Sequence, residues 1–256
     1  MKRFIALLMA IIMCSSLVGC GTPKCSVEGC GEKSVEDTTY EEPYCSKHLA
    51  NKKAQDIAET VYDMVSGAYM YCEWMGDDVI AAWRTGIYDK DTYKKKDSKD
   101  KLEILASKLN LSYADVKVGE AAACKLTWDG VIWDSLTEEE KNEYLEDHID
   151  YLAVMAFGDL FQYCVTTVIE AYTHNGYIGH AQSSLDLAKQ NLKTLSQDYP
   201  DYIHYEDLKD YYTAVNSYFD FCVSPTGNFE QASNSNNEYQ KQVKECMSAL
   251  ELEFED

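Results

Sequence analysis

Three cysteines and a histidine stand in a pattern that suits metal chemistry: Cys25, Cys30 after four residues, Cys45 after fourteen more, and His48 after two. Thiolate and imidazole are soft or borderline donors, and four of them match the tetrahedral coordination that zinc prefers. Each pair is short enough to sit on one turn, and the intervening loop is long enough to fold the pairs around one ion. Gly29 and Gly31 flank Cys30, where the backbone needs freedom to aim amides at a sulfur. With all four places filled by protein, no coordination position is left for water or substrate. Such a site stabilises a segment too small to hold a core and does not catalyse. Oxidation is the competing chemistry. A disulfide here would use two cysteines and leave the third unpaired or bridged elsewhere, whereas a metal uses all three. The spacing leaves metal, disulfide and no special role open.

Other reactive residues are scattered. Cys72, Cys124, Cys164, Cys222 and Cys246 lie far apart; Cys72 and Cys164 fall on apolar stripes and Cys124 follows three alanines, which suits small buried residues better than helix-linking disulfides. Glu170 and His174 share a helical face, and His180 follows after a glycine-containing turn, a trio that could hold a catalytic metal but also suits a polar helix end. Di-iron Glu-x-x-His pairs are absent, because Leu145, Ala171 and Tyr177 stand three residues before His148, His174 and His180. Trp128-Asp129-Gly130-Val131-Ile132 echoes the middle of a calcium loop, yet Lys125, Thr127 and Leu136 occupy ligand positions. No metalloprotease His-Glu-x-x-His, nucleophile elbow or phosphate-cradling glycine loop occurs. The 20 tyrosines, dense at Tyr199, Tyr202, Tyr205, Tyr211, Tyr212 and Tyr218, could line a saccharide or peptide groove, although tyrosines at helical spacing are more often amphipathic boundary residues.

Helices must position these groups. The only prolines are Pro23, Pro43, Pro200 and Pro225, each between periodic stretches. Over 54–88 the residues Ile57, Val61, Met64, Ala68, Cys72, Met75, Val79, Trp83 and Ile87 step by three or four, one amphipathic stripe. Cys45-Ser46-Lys47-His48 leads into it. A capping box at Thr137-Glu138-Glu139-Glu140 opens a second long helix, whose stripe runs Leu145, Ile149, Leu152, Ala156, Leu160, Cys164, Val168 and Ala171, stops near Asn175-Gly176, and bends at Gly158-Asp159. Shorter helices are predicted over 99–109, 113–126, 178–197, 205–223 and 238–252. The 94–99 block, Pro225-Thr226-Gly227-Asn228 and the polar run 233–237 are predicted connections. No strand alternation persists. The expected fold is all-α, an elongated antiparallel helical bundle preceded by the small Cys3His module.

The N-terminus carries an address. Lys2 and Arg3 precede an apolar run over 4–13, too short to span a bilayer, and Leu17-Val18-Gly19-Cys20 closes it. These residues resemble a bacterial lipoprotein signal peptide. That resemblance implies cleavage before Cys20, a diacylglycerol on its thiol and stable extracytoplasmic anchoring in the cell membrane by two acyl chains. Gly29-Cys30 with Tyr44-Cys45-x2-His48 is similar to the zinc-knuckle modules found in many unrelated proteins. Tyr199-Pro200-Asp201-Tyr202, Leu208, Tyr211, Tyr212, Tyr218 and Pro225-Thr226-Gly227 are similar to uncharacterised helical lipoproteins of Gram-positive bacteria, which implies location and architecture and no catalytic residues.

The expected organisation is a signal peptide over 1–19, a lipidated tether over 20–24, the knuckle over 25–48 and a helical domain over 49–256. Four residues separate Cys20 from Cys25, holding the knuckle within ~18 Å of the lipid at about 3.5 Å per residue. Formal charge is −21, and the stretch from Ala54 onward has 16 basic against 38 acidic residues. That field repels phosphate backbones and so argues against nucleic acid. The expected function is a binding or scaffolding lipoprotein of the cell surface with a structural zinc, its partner a cell-envelope protein, peptide or saccharide. The alternatives are a metal-dependent hydrolase using Glu170, His174 and His180, or a zinc- or redox-responsive surface sensor.

Overall fold

A computed structural model describes residues 22–89, 98–128, 137, 139–140 and 160–254. Cys20 and the leader, the bend at Gly158-Asp159, residues 94–97 and residues 129–136 lie outside them. Among the described residues the chain is all-α, with seven helices and no strand. They are α1 (Ser46–Tyr88), α2 (Ser98–Ala106), α3 (Tyr113–Trp128), α4 (Leu160–His174), α5 (Tyr177–Asp198), α6 (Tyr205–Val223) and α7 (Phe229–Phe254). The chain divides into two compact units, Met1–Asp56 and Ile57–Asp256. No described helix is long and apolar enough to cross a membrane.

In the larger unit, α1 supplies the central surface. Val61, Ala68, Cys72, Met75, Val79 and Trp83 are buried as the stripe predicts, while Ile87 is 39% exposed near the helix end. Val65, Tyr62, Tyr69 and Ala82 are buried too, so the covered face is wider than one stripe. The reason is that three helices lie against it. Asn191 of α5 reaches the Met64 sulfur at 3.9 Å, Ser66 pairs with Tyr211 of α6 at 3.0 Å, and Glu73 meets Lys244 of α7 at 3.0 Å. Of the remaining helices, α4 also reaches α1 through Tyr172, and α3 packs closely on α4. Gly119 makes that approach possible: a Cβ there would lie 2.2 Å from the Thr167 carbonyl oxygen and 2.6 Å from the Ala171 Cβ.

Local signals set several helix ends. The capping box at Thr137 forms, with the Thr137 amide donating to Glu140 at 2.8 Å and the Glu140 amide to Thr137 Oγ1 at 3.3 Å. A second box starts α3, where the Ser112 amide donates to Asp115 Oδ2 at 2.8 Å. Gly176, at φ +76, stands after α4 as the expected stop. α6 occupies the predicted 205–223. α2 stops at Ala106 rather than residue 109, because the Lys108 and Leu109 amides turn tightly onto Leu105 and Ala106 at 3.0 and 3.1 Å.

One connection is corrected. The polar run 233–237 lies inside α7, which begins at Phe229. Asn228 and Gln231 form a reciprocal cap at 3.0 and 2.9 Å, and buried Asn236 accepts from the Tyr218 hydroxyl at 2.8 Å while donating to Asp77 at 3.0 Å. Those tertiary partners offset the weak helix propensity of asparagine and serine. The same bonds correct the tyrosine reading. Tyr211 and Tyr218 are core residues with satisfied hydroxyls, not boundary residues, and Tyr218 stacks on Tyr239 at 5.9 Å.

Candidate metal centre

The smaller unit is built from turns. The Cys25 amide donates to the Glu32 carbonyl at 3.0 Å, and Lys24 and Lys33 form an isolated antiparallel bridge. Between them the Cys30 amide donates to Val27 at 3.0 Å, closing a turn that needs a positive φ at its third residue. Gly29 supplies it at +78. Gly31 has no positive φ, so only one of the two glycines flanking Cys30 is needed for its left-handed freedom. The strap from Val35 to Tyr44 is then fixed at both ends. Val35 donates to the Tyr44 carbonyl at 2.9 Å, Ser26 donates to Pro43 at 2.7 Å, and Lys53 bonds Asp37 at 2.7 Å. The Lys53 ammonium and the Thr39 amide hold the Asp37 carboxyl down at about 2.

The helix begins on the second half of the cluster, Cys45 and His48. Cys45 immediately precedes α1, the Leu49 amide donates to its carbonyl at 2.8 Å, and His48 falls in the first turn. A spacing of three residues there turns Cys45 and His48 to one side. His48 Nδ1 lies 3.2 Å from Cys25 Sγ and 3.3 Å from Cys45 Sγ, and Cys30 Sγ lies 3.9 Å from Cys45 Sγ. All four donor atoms fall within 4.8 Å of one another. Cys25 and Cys45 are buried. A tetrahedral ion with bonds of about 2.3 Å to sulfur and about 2.0 Å to nitrogen separates its ligands by ~3.5–3.8 Å. The separations of 3.2, 3.3 and 3.9 Å are of that scale, with Nδ1 as the imidazole donor. The three thiols are free, and no disulfide joins them.

The local field prepares one thiol for ionisation. Burial opposes charge on Cys25, but hydrogen bonds involving the Cys45 and Val27 backbone, His48 and Cys30 overcome it and bring the thiol down to about 6. At Cys45 the backbone contact near His48 favours the thiolate, yet burial and the neighbouring Glu32, Cys30 and Cys25 outweigh it, so the thiol is pushed up. Three thiolates in one pocket repel each other, and a divalent cation removes that penalty.

Elsewhere the reactive residues stay dispersed. Among the described residues no other set of three or more histidines, cysteines and carboxylates converges, so Glu170, His174 and His180 are not gathered into a site. His180 instead stacks on Tyr71 at 6.4 Å, and His174 is exposed at the end of α4. Cys72, Cys164 and Cys222 are free and buried, as small core residues should be, and Cys246 is free and half-buried. Burial pushes the Cys164 thiol up to about 12, and Cys222 is raised by burial and by its contact with Cys72, so both are weak nucleophiles. The Cys124 side chain lies outside the described residues.

Two polar clusters, one on buried Asp78 and one on exposed Asp77, were not foreseen. Asp78 accepts from the Asn110 amide at 2.9 Å, from the Asn110 side chain at 2.9 Å and from the Tyr172 hydroxyl at 3.0 Å, tying α1 to the α2–α3 turn and to α4. Asp77, its neighbour, accepts from Asn236 and Gln240 of α7. Acids adjacent on one helix point to different partners, and no sequence periodicity marks which one is buried. No protein-family model, curated protein or solved structure matches the chain.

Proposed function

We propose that this protein is a lipid-anchored component of the extracytoplasmic cell surface whose Cys3His module folds around one structural zinc ion and whose helical domain is a binding or scaffolding body. The observation that carries the zinc part is the convergence of Cys25, Cys30, Cys45 and His48 on one point. Zinc suits three thiolates and an imidazole in a tetrahedron, and the donor set leaves no open position for a reacting ligand. Its role is therefore to hold a turn-rich segment that has little apolar core of its own, with metal binding and folding coupled. The anchor rests on Leu17-Val18-Gly19-Cys20 and the short apolar leader before it.

The two parts are tested separately. Mass spectrometry of the mature N-terminal peptide should find Cys20 as the first residue, carrying diacylglycerol; an unmodified Cys20 removes the anchor. Protein purified without added zinc should hold about one zinc per chain, and Cys45→Ser should lose it together with amide-exchange protection of the Cys25 and Ser34 backbone. A Cys45→Ser protein that keeps both removes the zinc reading.

A further inference from the structure

The helical unit contains an open cleft of about 1020 Å³ between the C-terminal part of α1 and the start of α7. Its size suits a small ligand. Its chemistry is unusual for this chain. Of 23 basic residues only Arg3 and Arg84 are arginine, and Arg84 lines the cleft, exposed, with no ion-pair or hydrogen-bond partner among the described residues. Two helical turns earlier on the same face stands Asp77. Its two bonds, from Asn236 at 3.0 Å and Gln240 at 2.8 Å, both end on Oδ1, which orients the carboxylate and leaves Oδ2 able to accept. The wall is apolar and aromatic. Ile80 lies between the two charges along α1, and Tyr88 meets Phe229 edge-on at 5.8 Å while remaining 68% exposed. Asn237, exposed on α7, offers a side-chain amide to the same space.

We infer that this cleft binds a short peptide with free termini, its carboxylate on Arg84 and its ammonium on Asp77. An unpaired guanidinium is the strongest planar receptor for a carboxylate, and the oriented Oδ2 is the matching acceptor for an ammonium. The two residues are separated by seven positions, about 10.5 Å along the helix. An extended chain advances ~3.3–3.6 Å per residue, so about three residues bridge the charges, whereas a single amino acid carries both on one carbon. Asn237 can donate to and accept from a peptide unit, and the aromatic pair receives an apolar side chain. The inference rests on reading the helical domain as a binding body, and it does not depend on zinc or lipid.

The test uses the full chain in detergent and isothermal titration with Ala-Leu-Ala, as the free peptide and as forms blocked by N-acetylation, by C-amidation or at both ends. The free peptide should bind at least tenfold more tightly than either singly blocked form. Arg84→Gln should abolish the discrimination against the C-amide, and Asp77→Asn that against the N-acetyl form. Arg84→Gln should keep the wild-type melting temperature, since Arg84 holds nothing in the fold. No binding at millimolar peptide, equal affinity for the doubly blocked form, or unchanged discrimination in folded Arg84→Gln overturns the inference. None of those results bears on the zinc content or the lipid on Cys20.

Discussion

Replacing glycine with alanine at two helical positions should move stability in opposite directions. At Gly119 in α3 the added methyl would sit 2.2 Å from the Thr167 carbonyl oxygen and 2.6 Å from the Ala171 nitrogen and Cβ. Most of these atoms belong to the α4 backbone and cannot rotate away, so the helices must part by about 1 Å, which forfeits a large share of each contact across the interface. Overpacking of this kind costs about 1–3 kcal/mol, often toward the upper end against backbone. Helix propensity returns roughly 1 kcal/mol, leaving Gly119→Ala destabilised by about 2 kcal/mol. At Gly67 in α1 nothing lies within 4 Å of the new methyl, so only the propensity gain applies, about 0.5–1 kcal/mol. For a unit of this size each kcal/mol moves the melting temperature by about 2–4 °C. Urea and thermal denaturation followed by circular dichroism should therefore place Gly119→Ala about 4–8 °C below wild type and Gly67→Ala slightly above it. A Gly119→Ala protein as stable as wild type would refute the close α3–α4 crossing.

Further tests address single contacts. Burial lifts Asp78 to about 6 against the hydrogen bonds that favour its charge, so its neutral form is the one the fold prefers. Its contribution is complete below the unfolded value near 4 and is lost as pH rises through about 6; the shift corresponds to ~3 kcal/mol. The stability of Asp78→Asn relative to wild type should accordingly rise between about pH 4 and pH 7 in parallel urea titrations, and a flat difference would refute the assignment. Asn228→Ala should lose about 1 kcal/mol and shorten α7 at its start, read as faster amide exchange at Gln231 and Ala232. Gly76→Ala drives a methyl to within 2.3 Å of the Tyr218 hydroxyl and 2.4 Å of Asn236 Oδ1, so it should break their bond and perturb the Tyr218 signal in near-ultraviolet circular dichroism.

What could be read in advance follows from the range of the physics. Periodicity is local, so the helical fold, the α6 limits and the buried positions Cys72, Met75 and Val79 were legible from spacing alone. The convergence of Cys25, Cys30, Cys45 and His48 was legible because Cys45 and His48 occupy one turn and Cys25 and Cys30 flank another. The start of α7 failed because a polar run has low propensity, and the Asn236 bonds that rescue it reach back to Asp77 and Tyr218. Asn228-x-x-Gln231 was a local cap signal that could have located it. Tyr211 and Tyr218 were misplaced because a tyrosine is buried only where a hydroxyl partner waits, and those partners come from other helices. The pairing of Asp77 and Asp78 with different elements likewise exists only after folding.

The zinc reading meets its most direct test in the metal content of the chain purified without added metal, combined with peptide mapping under non-reducing conditions. The expected result is about one zinc per chain and no disulfide among Cys25, Cys30 and Cys45, with cobalt substitution giving the absorption of a tetrahedral thiolate site. A chain without zinc, with two of those cysteines joined in a disulfide, would contradict it.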